Sequence, residues 1–457
     1  MQPVLTVAEM QAVDAAAQAT VPLEVLVARA GTAVATAALA MLGGAYGRRV
    51  VVVAGKGNNG ADGRVAAGRL SGRGARIEVV APGDRTRLPA VDLVIDAAFG
   101  TGFRGGYDAP SCPPGTPVLA VDIPSGVLGD TGEAPGSPLP ADRTVTFVAA
   151  KPGLVQGAGR SLAGRVVVAD IGLPAGPARI HVLEDSDIAD LVPERNEAGN
   201  KWDAAVLVVA GSPGMTGAAG MCARAALRTG SGMVRLGVPG GDLAGSPAPE
   251  AVGLPLAANG WSGDALTAAD RCGAVVVGPG LGRDPATAAD VRRLVALSPV
   301  PVVVDADGLF ALGSFAAGRP LETRSPVVLT PHDGEYGRLL SPPGPDRIDA
   351  ARRLAAASGT IALVKGPTTT VAEPSGRVLV AMAGSPRLAT AGTGDVLSGM
   401  IGALIARGVD PHRAAAAAAH LHGRAAGLGP AEGLVAGDLP GLVSSVFSAL
   451  RDGHRRG

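Results

Sequence analysis

Short apolar runs alternate with amphipathic stretches along the whole chain. The runs predict parallel strands, because a strand buried on both faces shows continuous Val, Ile and Leu. In the first half these predicted strands are Val50–Ala54, Arg76–Val80, Leu93–Ala97, Val118–Asp122, Thr144–Val148 and Arg165–Ala169. Helical segments such as Asp62–Leu70 fill the intervals, which predicts an α/β fold with helices on both faces of a parallel sheet.

A stretch rich in Pro, Gly and charged residues, 171–200, interrupts this pattern and predicts a connection between domains. We therefore expect one domain at residues 1–190, including the connection, and a second at 191–457. The second predicted set is Ala204–Ala210, Met233–Val238, Ala274–Val277, Val300–Asp305, Val327–Thr330, Thr360–Val364, Thr369–Ala372 and Val378–Ala381, with two closing helices at Val396–Ala406 and Pro411–Gly427.

Composition narrows the class of protein. Hydrophobic residues make up 47% of the 457 residues and the net charge is zero, so the chain has material for large cores and is not disordered. The balanced charge and 2% aromatic content argue against nucleic-acid binding. Three distant cysteines (Cys112, Cys222 and Cys272) predict neither a disulfide framework nor a zinc site, as in a reducing cytoplasm.

One uncharged segment, residues 30–47, is rich in Ala, Thr and Gly. The pair Gly43-Gly44 interrupts it, which predicts a buried helix that ends there rather than a membrane span. The N-terminus lacks the basic and apolar regions of a signal peptide. We therefore expect a cytoplasmic protein with no membrane association.

In the first half, polar residues follow three predicted strands. The Gly-rich segment 55–63 opens a helix, Asp96 ends a strand before 99–106, and Asp122 ends the next strand. Carboxyl ends of adjacent parallel strands are where open α/β sheets bind ligands, and a Gly-rich helix start accommodates an anion. Each segment alone also fits an ordinary loop, with Asp62 as a helix cap. Their expected convergence favours a ligand site.

In the second half, three segments have the same character: 330–335, 364–369 and 391–395. In the last, glycines precede a helix and Asp395 lies in its first turn, which predicts an anion site beside a potential base. Alternatively, Asp395 only complements the helix dipole.

The first-half motifs NNGADG, DAAFGTGFRGG, VDIPSG and FVAAKPGL…GRVVVADIGLP resemble, in order, the NAD(P)HX epimerase family of the YjeF N-terminal type. The resemblance implies a Rossmann-like three-layer α/β/α domain that interconverts the R and S forms of hydrated NAD(P)H. The hydrate contacts that it implies are Asn58, Asn59, Gly60, Ala61, Asp62, Gly100, Thr101, Gly102, Phe103, Arg104, Gly105, Gly106 and Asp122. It further implies a potassium ion held by Asn59, Asp96 and Ser125. Ala61 stands where the family commonly has glycine.

The second-half segments VLVVAGSPGMTGAAGMCARAALRTGSGMVRL, VVVGPGLG, VVVDADGL, VLTPHDGE, VKGPTT and AGTGDVLSGMIGAL resemble the ADP-dependent NAD(P)HX dehydratases of the ribokinase-like superfamily. The resemblance implies contacts to the S hydrate from Ala218, Gly280, His332 and Asp395. The implied adenine-nucleotide contacts are Lys365, Gly366, Pro367, Thr368, Thr369 and Gly394. Asp333 stands where the family usually has proline. The order of the two domains resembles a bifunctional family that repairs hydrated NADH and NADPH, and related enzymes often form homo-oligomers.

Chemistry gives two of these residues catalytic roles. Hydroxide is a poor leaving group, so dehydration would proceed by phosphorylating the 6-hydroxyl from ADP, with Asp395 as general base and Glu335 organising Mg²⁺. Asp122 is the expected acid–base group of the epimerase, with Lys151 as the alternative.

Two other functions remain open on the sequence alone. A ribokinase-like vitamin-precursor kinase fused to a nucleotide-binding domain would share the GTGD segment, although such kinases more often have Asn where this chain has His332. A non-catalytic NAD(P)H-binding sensor would not need both Asp122 and Asp395.

Overall fold

The computed structural model describes residues 1–194, 198–241 and 248–454, so part of the predicted connection lies outside the described residues. The chain divides into two compact units, one of Gln2–Ile180 and one of His181–Gly457 together with Met1. The division falls before His181, whereas the sequence analysis places the domain boundary after residue 190.

The first unit is built on a six-stranded parallel sheet. The six strands of this sheet are β2 (Arg49–Ala54), β3 (Arg76–Val80), β4 (Leu93–Ala97), β6 (Val118–Val121), β8 (Arg143–Phe147) and β9 (Arg165–Ala169). The same part of the chain also contains β1 (Gln2–Val4), β5 (Tyr107–Asp108) and β7 (Gly136–Ser137), which lie outside this sheet. The sheet order is β3-β2-β4-β6-β8-β9, and β5 pairs with β7 outside it. Its helices are α1 (Val7–Gln18), α2 (Leu23–Leu42), α3 (Asn58–Ser71), α4 (Pro152–Val155) and α5 (Gly157–Leu162).

This sheet has apolar cores on both faces, as its continuous apolar strands predict. Val52 and Ile95 pack with residues of α2 and α3 on one face, while Val51, Val53 and Val94 belong to a separate cluster on the other. Strand order changes direction between β2 and β4, which is the point where such sheets bind ligands. The predicted α/β architecture of this half is confirmed.

Helix α2 ends as predicted. Gly43 caps it with a left-handed φ of 65°, a conformation that glycine adopts without steric cost. Within the described part of the chain, α2 is the one helix long and apolar enough to cross a membrane. Ala30, Val34 and Ala38 on one face pack into the core. The predicted burial is therefore correct for that face only, since 39% of the most apolar stretch of α2 is buried.

The second unit contains a larger mixed sheet. Its strands are β10 (Ile180–Val182), β11 (Ala205–Val209), β12 (Met233–Gly237), β13 (Val252–Leu254), β14 (Ala274–Val277), β15 (Val302–Val304), β16 (Val327–Leu329), β17 (Ile361–Val364), β18 (Thr369–Ala372) and β19 (Val378–Ala381). Its helices are α6 (Asp185–Leu191), α7 (Gly217–Arg228), α8 (Ser262–Ala269), α9 (Pro285–Leu297), α10 (Asp307–Leu312), α11 (Asp333–Leu339), α12 (Arg347–Ser358), α13 (Thr393–Ala406), α14 (Pro411–Leu428) and α15 (Leu439–His454).

The strand order β13-β12-β11-β14-β15-β16-β17 is parallel, and β18 and β19 extend it in antiparallel fashion. The predicted antiparallel pair is confirmed. The prediction that two helices close the chain is wrong, because α15 follows them. Its buried Leu439, Val443 and Val446 recur about one helical turn apart, so the sequence did carry the signal.

Helix α13 is apolar around its circumference and lies between α7 and the sheet. A Cβ on Gly399 would come within 2.2 Å of the Cys222 carbonyl oxygen of α7, and one on Gly402 within 2.5 Å of Val276 of β14. The two glycines therefore allow contacts that no larger residue permits. This packing fixes the N-terminus of α13, where Asp395 lies.

Candidate active sites

A cavity of about 960 Å³ opens at the β2/β4 switch point of the first unit. Residues from α1 and α2 and from the loops after β2, β4, β6 and β8 line it. The predicted substrate residues along its wall are Asn58, Asn59, Asp62, Gly100, Thr101, Gly102, Phe103 and Asp122. Gly60, Ala61, Arg104, Gly105 and Gly106 were predicted with them but are not part of the lining.

Gly60 serves the packing of the loops around the cavity. A Cβ there would lie 1.9 Å from the carbonyl oxygen of Gly55, and one on Gly55 would lie 2.0 Å from that of Ala98. The neighbouring Ala61 is an ordinary helical residue, whose N–H donates to the Gly57 carbonyl at 3.1 Å. Helix α3 thus begins earlier than predicted, and Asp62 lies inside it rather than capping it. Replacement of glycine by Ala61 leaves the backbone undisturbed.

An ion pair between Asp122 and Lys151 forms one wall of the cavity. The Lys151 Nζ donates to Asp122 Oδ1 at 2.6 Å, to Thr146 Oγ1 at 2.7 Å and to the Phe147 carbonyl at 3.1 Å. Lys151 is only 1% exposed, so the ammonium is held rigidly. Asp122 has a left-handed φ of 66°, a strained backbone of the kind concentrated at functional sites. The strain turns the carboxylate at the end of β6 toward the ammonium.

Two further carboxyl groups share this cavity with Asp122. Burial, with the charges of Asp122 and Asp14, raises the pKa of Asp62 to about 8. Burial also raises the pKa of Asp14 on α1, where Lys151 opposes the shift and Asp122 adds to it. At neutral pH Asp62 therefore carries a proton that it can donate. Sequence reasoning missed Asp14, because one acidic residue in an Ala-rich helix forms no motif.

The three residues predicted to hold potassium lie around the β4 end. Asp96 is 2% exposed and accepts the Ser125 N–H at 2.8 Å, while Ser125 Oγ accepts the Phe99 N–H at 2.9 Å. Burial raises the pKa of Asp96. Both polar side-chain atoms of Asn59 are buried and have no hydrogen-bond partner. Buried polar atoms are nearly always satisfied, so Asn59 is an exception that requires a reason.

In the second unit, an ion pair connects the loop after β17 with the end of β15, and a serine of α13 contacts the same carboxylate. Lys365 Nζ donates to Asp305 Oδ1 at 2.6 Å, and Ser398 Oγ donates to Asp305 Oδ2 at 2.6 Å. A Cβ on Gly394 would lie 3.2 Å from Lys365 Nζ. The structure thus brings together Lys365 and Gly394, both predicted to bind nucleotide. Pro367, Thr368 and Thr369 continue the same loop into β18.

Asp395 lies in the first turn of α13, as predicted. Burial raises its pKa to about 7, with the charges of Asp305, Glu335 and Asp307 in the same direction and Lys365 opposing. A carboxylate with this pKa is half protonated near neutral pH. That is the property of an efficient general base.

The remaining predicted hydrate contacts occupy two places. A Cβ on Gly280 would lie 3.2 Å from Ala218 Cβ, so these two residues are neighbours. His332 caps α11: its Nδ1 accepts the Gly334 N–H at 3.0 Å, and Glu335 Oε2 accepts the His332 N–H at 2.9 Å. Because Nδ1 is used in this cap, Nε2 is the ring nitrogen that stays available for a further contact.

Asp333 anchors an arginine beside the loop after β17. Its carboxylate accepts from Arg347 Nη1 at 2.9 and 3.2 Å, and Arg347 Nη2 donates to the Lys365 carbonyl. A Cβ on Gly366 would lie 2.6 Å from the same guanidinium. The departure from proline at Asp333 therefore adds a contact from α12 to this loop.

Comparisons with known proteins agree with this division of the chain. A family model described as NAD(P)H-hydrate dehydratase matches residues 206–447, and one described as YjeF-related protein N-terminus matches residues 23–89 and 82–153. The solved structure of hypothetic protein SMU.573 from Streptococcus mutans shares the fold, with a TM-score of 0.51 and 23% identity over 59% of this chain and 100% of its own.

Two curated relatives align over almost the whole chain. The bifunctional NAD(P)H-hydrate repair enzyme of Salinibacter ruber is 36% identical over 93% of this chain and 91% of its own length. The enzyme of that name from Mycobacterium tuberculosis is 39% identical over 89% and 90%. The predicted two-domain fold class and the resemblance are confirmed, and the chain belongs to the family of bifunctional NAD(P)H-hydrate repair enzymes.

Proposed function

We propose that this chain repairs hydrated NADH and NADPH in two steps. The first domain (residues 1–190) interconverts the R and S hydrates, and the second (191–457) converts the S hydrate to NAD(P)H with conversion of ADP to AMP and phosphate. The observation that carries the proposal is a perturbed carboxyl group in each unit, Asp62 and Asp395, among the family's motif residues. Such groups mark sites that exchange protons with a substrate.

Epimerisation needs a base and an acid at one hemiaminal carbon. Asp122 takes the proton of the 6-hydroxyl as the bond between C6 and the ring nitrogen breaks, and protonated Asp62 supplies a proton to the opened enamide. The aldehyde then rotates and the ring closes on its other face, which returns both protons. Lys151, whose Nζ lies 2.6 Å from Asp122 Oδ1, holds the base in position.

Dehydration requires a better leaving group than hydroxide. Asp395 takes the proton of the 6-hydroxyl while the β-phosphoryl group of ADP moves to that oxygen and AMP departs. Phosphate then leaves C6 with its bonding electrons, and loss of the C5 proton completes the dihydropyridine ring. The positive end of α13 and Lys365 stabilise the transferring group.

The carboxylate chemistry of this site fits Mg²⁺. Glu335 acts on both Asp395 and Lys365 by its charge, which places it at the same site. No cluster of three His, Cys, Asp or Glu suited to a metal occurs among the residues that the structure describes. Mg²⁺ binds largely through substrate phosphates and water with one or two carboxylates. Glu335 would hold it, and the ion would neutralise phosphoryl charge.

The unsatisfied atoms of Asn59 support a potassium ion in the first domain. An ion near Asn59 Oδ1, Ser125 Oγ and the Asp96 carboxylate would satisfy the amide oxygen and offset a buried negative charge. These are neutral oxygens with one carboxylate, a donor set suited to a weakly acidic monovalent cation. Potassium therefore fits the residues present.

Replacement of Asn59 by Ala should remove the preference for potassium over sodium. We expect K⁺ to raise the melting temperature of the parent protein above that in Na⁺ at equal ionic strength, because only the folded protein binds the ion. Asn59→Ala should show equal melting temperatures and about tenfold slower epimerisation in K⁺. Scanning calorimetry in matched chlorides measures the first effect. Equal values for the parent protein in the two salts would contradict the site.

Absorbance at 340 nm tests the whole proposal. We expect a mixture of R- and S-NADHX, with ADP and Mg²⁺, to be converted completely and faster than the spontaneous rate. Conversion that stops at the S fraction would exclude an active epimerase. No recovery with ADP or ATP would exclude the dehydratase and favour a kinase.

The setting of the protein follows from these substrates. NADHX, NADPHX and ADP are small molecules of the cytoplasm, where we place the chain, without a nucleic-acid or membrane partner. We further propose a homo-oligomer, as in related enzymes.

A further inference from the structure

Within the described part of the second unit, Lys365 forms an ion pair with one carboxylate, that of Asp305. It is 0% exposed at the end of β15, and neither proposed reaction step uses it. A fully buried carboxylate is unfavourable unless charge and hydrogen bonds compensate it. The two compensating groups here, Lys365 and Ser398, belong to different elements of the proposed dehydratase site.

The two oxygens of Asp305 divide their contacts between those elements. Oδ1 accepts from Lys365 Nζ at 2.6 Å, on the nucleotide loop after β17. Oδ2 accepts from Ser398 Oγ at 2.6 Å, on the second turn of α13. Ser398 Oγ also lies 3.0 Å from the Gly394 carbonyl, but its single proton serves the shorter contact to the carboxylate. Asp305 thus bridges the loop and the helix.

The backbone holds Asp305 in this position. The Asp305 N–H donates to the Val277 carbonyl at 3.1 Å, and a Cβ on Gly278 would lie 1.9 Å from the Asp305 carbonyl oxygen. The next residue, Ala306, has a left-handed φ of 50°. A non-glycine residue in that region persists where the surroundings enforce it. The carboxylate therefore has little freedom to follow a displaced lysine.

We propose that Asp305 is a positioning residue that fixes Lys365 and the first turn of α13 relative to each other for phosphoryl transfer. The inference rests on the proposed dehydratase function. Lys365 needs its buried partner to keep its partly buried ammonium in place, and Asp395 depends on the same bridge through its helix. Phosphoryl transfer is governed by such positioning, since a displacement near 1 Å costs about 100-fold in rate. The charge of Asp305 also helps to raise the pKa of Asp395.

Three variants test this role. Asp305→Asn keeps the size but removes the charge that holds Lys365, so kcat for dehydration should fall about 50-fold and the Kd for ADP should rise about tenfold. Ser398→Ala keeps the ion pair and loses one hydrogen bond, so kcat should fall about fivefold with the Kd for ADP within about twofold. This split between kcat and affinity would not arise from a general loss of stability.

Asp290→Asn is the matched control. Asp290 is a buried carboxylate of α9 that also accepts from a serine, Ser262 Oγ, at 2.6 Å, but it binds no residue of the site. Its replacement should lower the melting temperature and leave kcat within about twofold of the parent.

Turnover is followed at 340 nm with S-NADHX, and ADP affinity by calorimetry on the full chain. Parent-like kcat and Kd in folded Asp305→Asn, or an equal loss of kcat in Asp290→Asn, would overturn the proposal. If Asp305→Asn does not fold, Ser398→Ala with unchanged kcat would do so. ADP affinity is measured without turnover, so an inactive parent protein would refute the proposed function and still leave this bridge testable.

Discussion

Dehydration of S-NADHX should fall about 1,000-fold in Asp395→Asn, while ADP should still bind within about threefold of the parent affinity. The amide has the size of the carboxylate but takes no proton from the 6-hydroxyl, so the loss is expected in kcat. Because burial raises the pKa of Asp395 to about 7, the parent kcat/KM should decrease about tenfold per pH unit below that value. Protonated Asp395 has no basic oxygen to offer. Initial rates at 340 nm between pH 5.5 and 9 measure both effects.

The control for this prediction is another helix-start aspartate in the same unit. Asp410 caps α14 by accepting the Arg413 N–H at 3.2 Å. Asn caps helices about as well as Asp, so Asp410→Asn should keep both stability and rate. Turnover near the parent value in Asp395→Asn would show that Asp395 only complements the helix dipole. If kcat/KM of Asp395→Asn still decreases below about pH 7, a group other than Asp395 causes that decrease.

Epimerisation of R-NADHX should fall about 100-fold or more in Asp122→Asn, with dehydration of the S epimer unchanged. The asparagine accepts the Lys151 hydrogen bond in place of the carboxylate but has little basicity. Chromatography of R-NADHX without ADP follows the approach to the R/S equilibrium, and the spontaneous rate is subtracted. Because the epimerisation and dehydration assays use different substrates and cofactors, the activities of both domains can be measured on one preparation.

A matched variant separates this effect from misfolding of the first unit. Asp130 accepts the Val7 N–H at 2.8 Å and is not part of the cavity lining, so Asp130→Asn should retain the parent rate of epimerisation. Equilibration at the parent rate in Asp122→Asn would exclude Asp122 as the acid–base group. Lys151, buried beside it, would then be the residue to replace next.

The sequence predicted the elements whose residues carry their own pattern. Strands β4, β9 and β14 have the predicted bounds, since each is a largely apolar run between clear loops. Asp395 was placed correctly because a glycine pair and a following apolar helix mark its position. In contrast, β13 has three residues with a central glycine and no recognisable pattern.

The electrostatics of the sites depended on contacts distant in the chain. Burial raises the pKa of Asp62, and the charges of Asp122 at the β6 end and Asp14 on α1 add to the shift. No local pattern contains that information. Asp305 was visible only as part of VVVDADGL, and its bridge joins residues 60 and 93 positions away. The motifs therefore indicated which loops form the sites, while tertiary contacts determine the pKa values and partners of the carboxyl groups in them.

The contrast between Gly60 and Ala61 has a consequence for how this gene can drift. Every glycine codon becomes an alanine codon by a single nucleotide change, so both positions meet the same mutation at similar frequency. At position 61 the methyl group lies on an ordinary helical turn. At position 60 it would come within 1.9 Å of a backbone oxygen that cannot move aside. We therefore expect near-neutral selection against alanine at codon 61 and strongly purifying selection at codon 60. A saturation library selected for growth should retain alanine at position 61 and lose it at position 60.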